Sequence, residues 1–385
     1  MSQFECLVLP IEDVYDHPNA DRLSLCKVRD FITVAGKLED GSPRYKKGDL
    51  IVYCPEGSVI PEYLLKQGFW DDKNGKGGLT GSLGNRVKAI KLRGVLSQGI
   101  MFPTLKVIDL ILSAHISNEH ESKIVNSGDD VSEFLGITKF EPVIPAAMNG
   151  DLLNLGTENT LNFDIENLRK YPNVLQDGER VVVSEKLHGT FCCVAYIRDI
   201  DNVDLYQNKL FVASKGLGSR GLVFKFNNVN QQQNIYTKMA VELGLFDKLK
   251  HYAEQVNVKK CFLLGEIFGQ GVQDLHYGMK PTFKAFDLWA QYDNDRGGFV
   301  SSDNKKFIFR QEAIDQVPIL YEGPYSRAVI DSLVGGLTSL GESHIKEGIV
   351  ITPNEERNDS EIGRVILKHI SAEYLTRKGN LTEYN

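Results

Sequence analysis

Residues Val181 to Ile197 read VVVSEKLHGTFCCVAYI. Two apolar, strand-forming runs flank a polar turn, a pattern that describes two neighbouring β-strands meeting at Ser184 to Thr190. The turn carries Lys186 between Glu185 and His188. A free lysine amine, with a pKa of about 10.4, is almost wholly protonated at neutral pH and is then a poor nucleophile. Desolvation between strands, or a neighbouring cation, lowers that value and frees the amine. Gly189 allows a tight turn and the close approach of a ligand. On residue type alone, a lysine at a strand end is a surface side chain with its head in water. The stretch therefore needs company elsewhere in the chain before it carries chemistry. The vicinal Cys192 and Cys193 fall on opposite faces of their strand by alternation and read as core packing, not as a redox pair.

The 385 residues, 42% of them apolar, can bury one or two ordinary cores, and two or three domains are expected. The first residues, MSQFECLVLPIEDVYDHPNAD, lack a basic segment followed by an apolar run, and nowhere do eighteen apolar residues follow one another. Six cysteines are scattered without C-x-x-C spacing and read as reduced core residues of a cytoplasmic protein. The net charge of −7 excludes non-specific coating of nucleic acid, which rests on an overall basic field. Any nucleic-acid role must come from positioned side chains.

From residue 1 to about 105 short apolar stretches alternate with Gly, Pro and Asp clusters, the spacing of a small antiparallel barrel. The phrases HPNADRLSLCKV (His17 to Val28) and KLRGVLSQGIMF (Lys91 to Phe102) lie near its two ends. They resemble, in the same order, parts of the OB-fold module of tRNA-binding domains attached to synthetases. Between them, Asp71 to Asn85 is glycine-rich and polar and reads as a mobile loop. Residues 106–145 contain VIDLILSAHI, a short helix or strand, and then an acidic, proline-ended stretch that reads as a linker. Residues 146–385 form a larger unit in which paired strands outnumber helices, an α+β class with antiparallel sheets.

Five further phrases follow Lys186 in order: SKGLGSRG (Ser214 to Gly221), LLGEIFGQGVQ (Leu263 to Gln273), FKAFDLW (Phe283 to Trp289), KEGIVIT (Lys346 to Thr352) and GRVILKHIS (Gly363 to Ser371). With KLHGT as the first, the six resemble motifs I, Ia, III, IIIa, IV and V of the covalent nucleotidyltransferases, the superfamily of polynucleotide ligases and capping guanylyltransferases. GLGSRG also satisfies the dinucleotide fingerprint G-x-G-x-x-G, but LVFKFNN follows it, a short strand where that fold requires a crossover helix. The resemblance implies an ATP-grasp-like nucleotidyltransferase domain with Lys186 as nucleophile. Glu185, Lys186, Leu187, His188, Arg220, Glu266, Phe286, Glu347 and Lys368 would bind ATP or AMP, with Phe286 stacking on the base. Glu266 and Glu347 would hold Mg²⁺ or Mn²⁺ through water, and Asp287 and Arg364 are further candidates, Arg364 by alternation onto the face of Lys368. Lys280 and Lys346 read as solvated charges.

No domain-sized segment follows the sixth motif, and the OB-like unit comes first. With ENLRKYPNVL (Glu166 to Leu175) and GDDVSEFLGITKFEP (Gly128 to Pro142), this order is similar to the fifth family of ATP-dependent RNA ligases. That family commonly has aspartate where His188 stands, and Phe191 occupies the place of a functional asparagine of the second family. The resemblance implies a monomer that joins 3′-OH and 5′-phosphate RNA ends at nicks in duplexes through a lysyl-N-AMP intermediate. Arg22, Lys88, Lys91 and Arg93 of the OB-like unit would contact nucleic acid. Two other readings stay open: an RNA-binding protein with an inactive nucleotidyltransferase domain, and a DNA ligase or guanylyltransferase with rearranged domains.

Overall fold

The structure, a computed structural model, describes residues 4–104, 125–293, 296–341 and 344–378. Two compact units are present: one comprises residues 2–141 with 169–172, the other 142–168 with 173–385. The VIDLILSAHI stretch lies outside the described residues.

In the first unit Leu50–Cys54 is the central strand, flanked antiparallel by Leu7–Pro10 and Ile100–Pro103. A second three-stranded sheet runs Asp13–Asp16, Leu23–Val28, Phe31–Gly36. The strict alternation of buried and half-buried residues along Leu23–Val28 shows one face turned to the core. Residues 125–141, expected as linker, belong to this unit. Val131, Leu135 and Ile137 are buried in its core, and Asp130 accepts a hydrogen bond from the Cys6 amide at 2.9 Å. Asp71 to Asn85 is likewise more ordered than a mobile loop: Trp70–Asp71 pairs with Lys76–Gly77, and a Cβ on Gly77 would lie 2.0 Å from the Gly84 carbonyl oxygen.

The second unit is built on two sheets. Seven strands run in the order Leu152–Asn154, Leu222–Phe224, Leu210–Ser214, Thr190–Ile197, Lys260–Phe268, Thr282–Gln291, Gly297–Phe299. Five run in the order Glu166–Asn167, Leu367–Ile370, Gly348–Pro353, Arg180–Lys186, Ile319–Pro324. Every pairing is antiparallel except that of Glu166–Asn167 with Leu367–Lys368. The helical stretch 235–255 divides into Ile235–Glu242 and Leu245–Gln255 at Gly244, whose φ of 62° suits glycine. These helices cover one face of the seven-stranded sheet, where Cys192, Val194 and Leu263 meet Met239, Phe246 and Leu249. The opposite face, with Cys193, Ala195 and Leu264, packs against Ile366 and Val350 of the five-stranded side. Cys192 and Cys193 thus part to opposite faces, and all six cysteines are buried and unpaired. This is the α+β class expected, with the Lys186 turn passing between the two sheets.

A candidate nucleotide-binding site between two sheets

Lys186 ends its strand, and Thr190 begins the next one in the other sheet. The crossing is tight: a Cβ on Gly189 would lie 2.2 Å from the carbonyl oxygen of Ile267, so only glycine fits. A cavity opens here, lined by Lys186, Lys215, Glu266 and Lys368 and by an apolar set including Phe163, Phe191, Phe286, Val350 and Ile366. Phe163 stacks on Phe191 with centroids 5.6 Å apart and lies 5.6 Å from Phe286. Charged groups beside an aromatic pocket are the arrangement a nucleotide needs, phosphates on the cations and base among the rings.

Glu347 is buried, and its Oε1 lies 2.6 Å from the Lys186 ammonium nitrogen. Burial raises its pKa, but Lys186 and His188 outweigh that and hold it down at about 2. Glu266 is pushed the other way, to about 8, because burial outweighs the pull of Lys186 and the Glu347 charge adds to it. No hydrogen bond to the Glu266 carboxylate is found among the described residues. Two carboxylates thus share one nearby lysine. They fit a divalent cation, although no cluster of three or more His, Cys, Asp or Glu ligands occurs among the described residues. A magnesium-like ion would keep most of its water or be completed by phosphate oxygens. Lys368 is lowered to about 8 by burial, then by Lys215 and Lys186.

His188 is buried behind this group. Its Nε2 lies 2.8 Å from Asp274 Oδ1, its Nδ1 lies 2.8 Å from the Tyr374 hydroxyl, and its amide donates to the Tyr277 hydroxyl at 2.7 Å. Burial opposes its charged form, but the bonds to Asp274 and Glu347 prevail and raise its pKa. Arg377 in turn holds Asp274 at 3.1 Å. The imidazole, 3.8 Å from Glu347 Oε2, braces that carboxylate from behind and does not line the cavity.

Several expected residues stand elsewhere. Glu185 lines the cavity, but its carboxylate accepts from Thr338 Oγ1 at 2.5 Å, the Ser339 amide at 2.8 Å and Ser339 Oγ at 2.5 Å. It anchors the 338–339 loop. Leu187 reaches the cavity wall while packing on Phe268 and Tyr277. Arg220 is exposed, donates to the Gly216 carbonyl at 2.9 Å, and is not among the lining residues. The cation that SKGLGSRG contributes is Lys215, held by Asp164 at 2.9 Å. Asp287 is fully buried between Lys305 at 2.9 Å and Arg364 at 2.6 Å, which braces the fold and does not touch the cavity. Arg364 does not join Lys368, because its guanidinium is taken by Asp287 and Glu356 and lies over the Phe299 ring. The alternation argument fails there since the strand breaks into Gly363–Arg364 and Leu367–Ile370, with Val365 and Ile366 both buried. Lys346, expected in water, is buried and donates to the Leu333 carbonyl.

In the first unit Arg22, Lys91 and Arg93 are exposed and Lys88 is half-buried. Arg93 sits at a hairpin turn with φ of 47°. His17 Nε2 lies 3.0 Å from the Leu92 carbonyl oxygen, and Asn19 donates to the Arg93 carbonyl at 3.0 Å. The two distinctive phrases of the unit are therefore in contact: HPN braces the KLRG turn.

Residues 179–370, which hold the cavity lining apart from Phe163 and Ile165 and the six motifs apart from the final Ser371, match the RNA ligase family model. Over that span the chain belongs to the RNA ligase family. Residues 7–104 match an OB-fold domain model. Solved structures of a Naegleria gruberi RNA ligase share the fold along the chain. The one with PPi has a TM-score of 0.72 at 23% identity, covering 97% of this chain and 98% of that one. An alanine variant of that ligase with AMP and Mn gives 0.71 at 21% identity, over 97% and 98%. A second alanine variant, with ATP and Mn, gives 0.70 at 23% identity, over 96% and 98%. A curated relative, the phenylalanine–tRNA ligase beta subunit of Prochlorococcus marinus (strain NATL2A), is 22% identical over 375 residues, or 92% of this chain. The chain spans 38% of that protein's length. Within this RNA ligase family chain, the sequence reading missed Phe163, Asp164, Lys215 and Asp274. Lys215 was detectable, since it directly follows a strand ending at Ser214; Phe163 and Asp164 sit in an irregular segment with no periodicity to mark them.

Proposed function

We propose that this chain is an ATP-dependent RNA ligase that joins a 3′-OH to a 5′-phosphate at nicks in duplex RNA. The observation that carries this reading is the Lys186 amine, 2.6 Å from Glu347, on a cavity that also presents Lys215, Lys368 and a wall of phenylalanines. The Naegleria gruberi ligase structures with ATP, AMP or PPi agree with such a use of the fold.

The amine of Lys186 attacks the α-phosphorus of ATP; an N–P bond forms and the bond to pyrophosphate breaks. The 5′-phosphate of RNA then takes the AMP, breaking the N–P bond and returning the lysine. The 3′-OH attacks that activated phosphate, forming the phosphodiester and expelling AMP. Lys215 and Lys368 meet charge that develops on the α-phosphate, a stabilisation fixed in place before reaction. The base lies among Phe163, Phe286 and Val350. Glu266 and Glu347 would hold a divalent cation, which would supply charge neutralisation at the phosphates. Glu347 also orients the Lys186 amine, and His188, fixed by Asp274 and Tyr374, orients Glu347. The OB unit grips the RNA through Arg22, Lys91 and Arg93, which are exposed. Six buried cysteines free of disulfides support a cytoplasmic enzyme, and it acts as a monomer.

The test is a set of nicked duplexes differing only in whether the 3′-OH strand ends in ribose or deoxyribose. Sealing of the ribose nick with ATP supports the reading. Failure on every RNA nick, or a clear preference for the deoxyribose strand, overturns it.

A further inference from the structure

The segment Asp315 to Ile319 crosses between the two sheets of the second unit. The Ala285 amide donates to the Asp315 carbonyl at 2.7 Å, and the Val317 amide to the Ala285 carbonyl at 2.9 Å. At the next residue the Glu185 amide donates to the Pro318 carbonyl at 2.9 Å, and Ile319 pairs with Ser184. The strip therefore stitches the strand bearing Phe286 to the strand bearing Lys186. It forms one edge of the cavity, where Gln316 and Val317 both line it.

Gln316 stands out among the cavity residues. Its backbone bridges Ala285, but its side-chain amide makes no hydrogen bond among the described residues. An amide carries two donor hydrogens and an acceptor oxygen side by side. Of the other lining groups, Phe286, Val317, Ile319 and Val350 have no polar side-chain atoms, while Lys305 is held by Asp287 and Lys306 by Glu322. In small-molecule sites a few polar groups set on a largely apolar wall fix orientation. A planar base between Phe286 and Val350 turns its edge to whatever closes the gap between their sheets, and that is this strip. The adenine edge has an amino donor beside ring-nitrogen acceptors, which a glutamine amide can meet with two hydrogen bonds.

We propose that Gln316 reads the hydrogen-bonding edge of the nucleobase and so sets base specificity in the adenylylation step. This rests on the nucleotide-binding reading above. A site built to bond a polar group rejects an analogue lacking it, because the protein group is then left unpaired.

The experiment measures formation of the covalent lysyl-nucleotide by the full chain, as kcat/KM, with ATP and with purine riboside triphosphate, which lacks the 6-amino group. Wild type, Gln316→Leu and Gln316→Ala are compared. The wild type is expected to prefer ATP about tenfold, as for loss of one to two hydrogen bonds. Both variants should lose most of that preference, slowing more on ATP, where two hydrogen bonds are lost, than on the analogue, where only the bond to a ring nitrogen is lost. Equal loss on both nucleotides, or an unchanged preference, overturns the assignment and leaves the ligase reading intact. A wild type labelled by neither nucleotide refutes the adenylylation reading and this assignment with it.

Discussion

Replacing Glu266 by glutamine should make the protein more stable and less active, and the gain should depend on pH. The folded-state pKa of Glu266 is raised from 4.5 to about 8. The folded chain thus holds this proton more tightly than the unfolded chain. The stability so gained is complete below about pH 4.5, declines as pH rises, and is gone above about pH 8. A gap of about 3.5 between the two values corresponds to about 5 kcal/mol. Glu266 lines an open cavity, and water there screens its charge, so about 2 kcal/mol is the expected effect. Glutamine keeps the shape and never ionises. For a unit of this size, Glu266→Gln should therefore melt roughly 4–8 °C above wild type at pH 8.5, and at the same temperature near pH 4.5. The assay is calorimetric unfolding of the full chain across that range without nucleotide or divalent cation. Labelling by ATP should fall in the same variant, since one of the two carboxylates proposed to hold the cation is lost. An unchanged or lower melting temperature at pH 8.5 would refute the claim that two carboxylates compete for one lysine here.

Lys215→Ala should cut lysyl-nucleotide formation at least tenfold, and Arg220→Ala should leave it within about twofold, because only Lys215 faces the cavity; the reverse order in a labelling assay would sink that assignment. Lys368 is lowered to about 8, so labelling should decline as pH rises through that value, and Lys368→Arg, which stays charged, should keep its activity above it; matching alkaline limbs in rate profiles would count against this. Asp287→Asn removes the charge that faces buried Lys305 and half-buried Arg364, and should cost about 3–5 kcal/mol in denaturant titrations. Glu185→Ala frees the 338–339 loop and should cost about 3 kcal/mol by the same measurement, the worth of charge-assisted bonds to a buried carboxylate.

Much of the fold was legible because its strands are long and strongly patterned. Leu210–Ser214, Arg180–Lys186 and Lys260–Phe268 each carry a run of apolar, strand-forming residues. Lys186, Glu266, Phe286, Glu347 and Lys368 came together because each sits on, or beside, a strand of one of the two sheets enclosing the cavity. What escaped depends on where side chains turn. Glu185 lies one residue from Lys186, and alternation sends its carboxylate to the opposite face, where Thr338 and Ser339 hold it. Arg220 follows a one-turn helix, Lys215–Gly218, that carries it out to solvent. The bracing of His188 by Asp274, Tyr374 and Arg377 joins residues up to 186 positions apart. No local pattern announces such a contact.

The central claim is a covalent bond between Lys186 and AMP. Incubating the protein with ATP and magnesium, digesting it, and locating the added nucleotide by peptide mass spectrometry tests that claim most directly. The account predicts one AMP on the peptide containing Lys186, lost on addition of pyrophosphate and absent in Lys186→Ala. AMP attached to another residue, or an adduct that persists in Lys186→Ala, would contradict it.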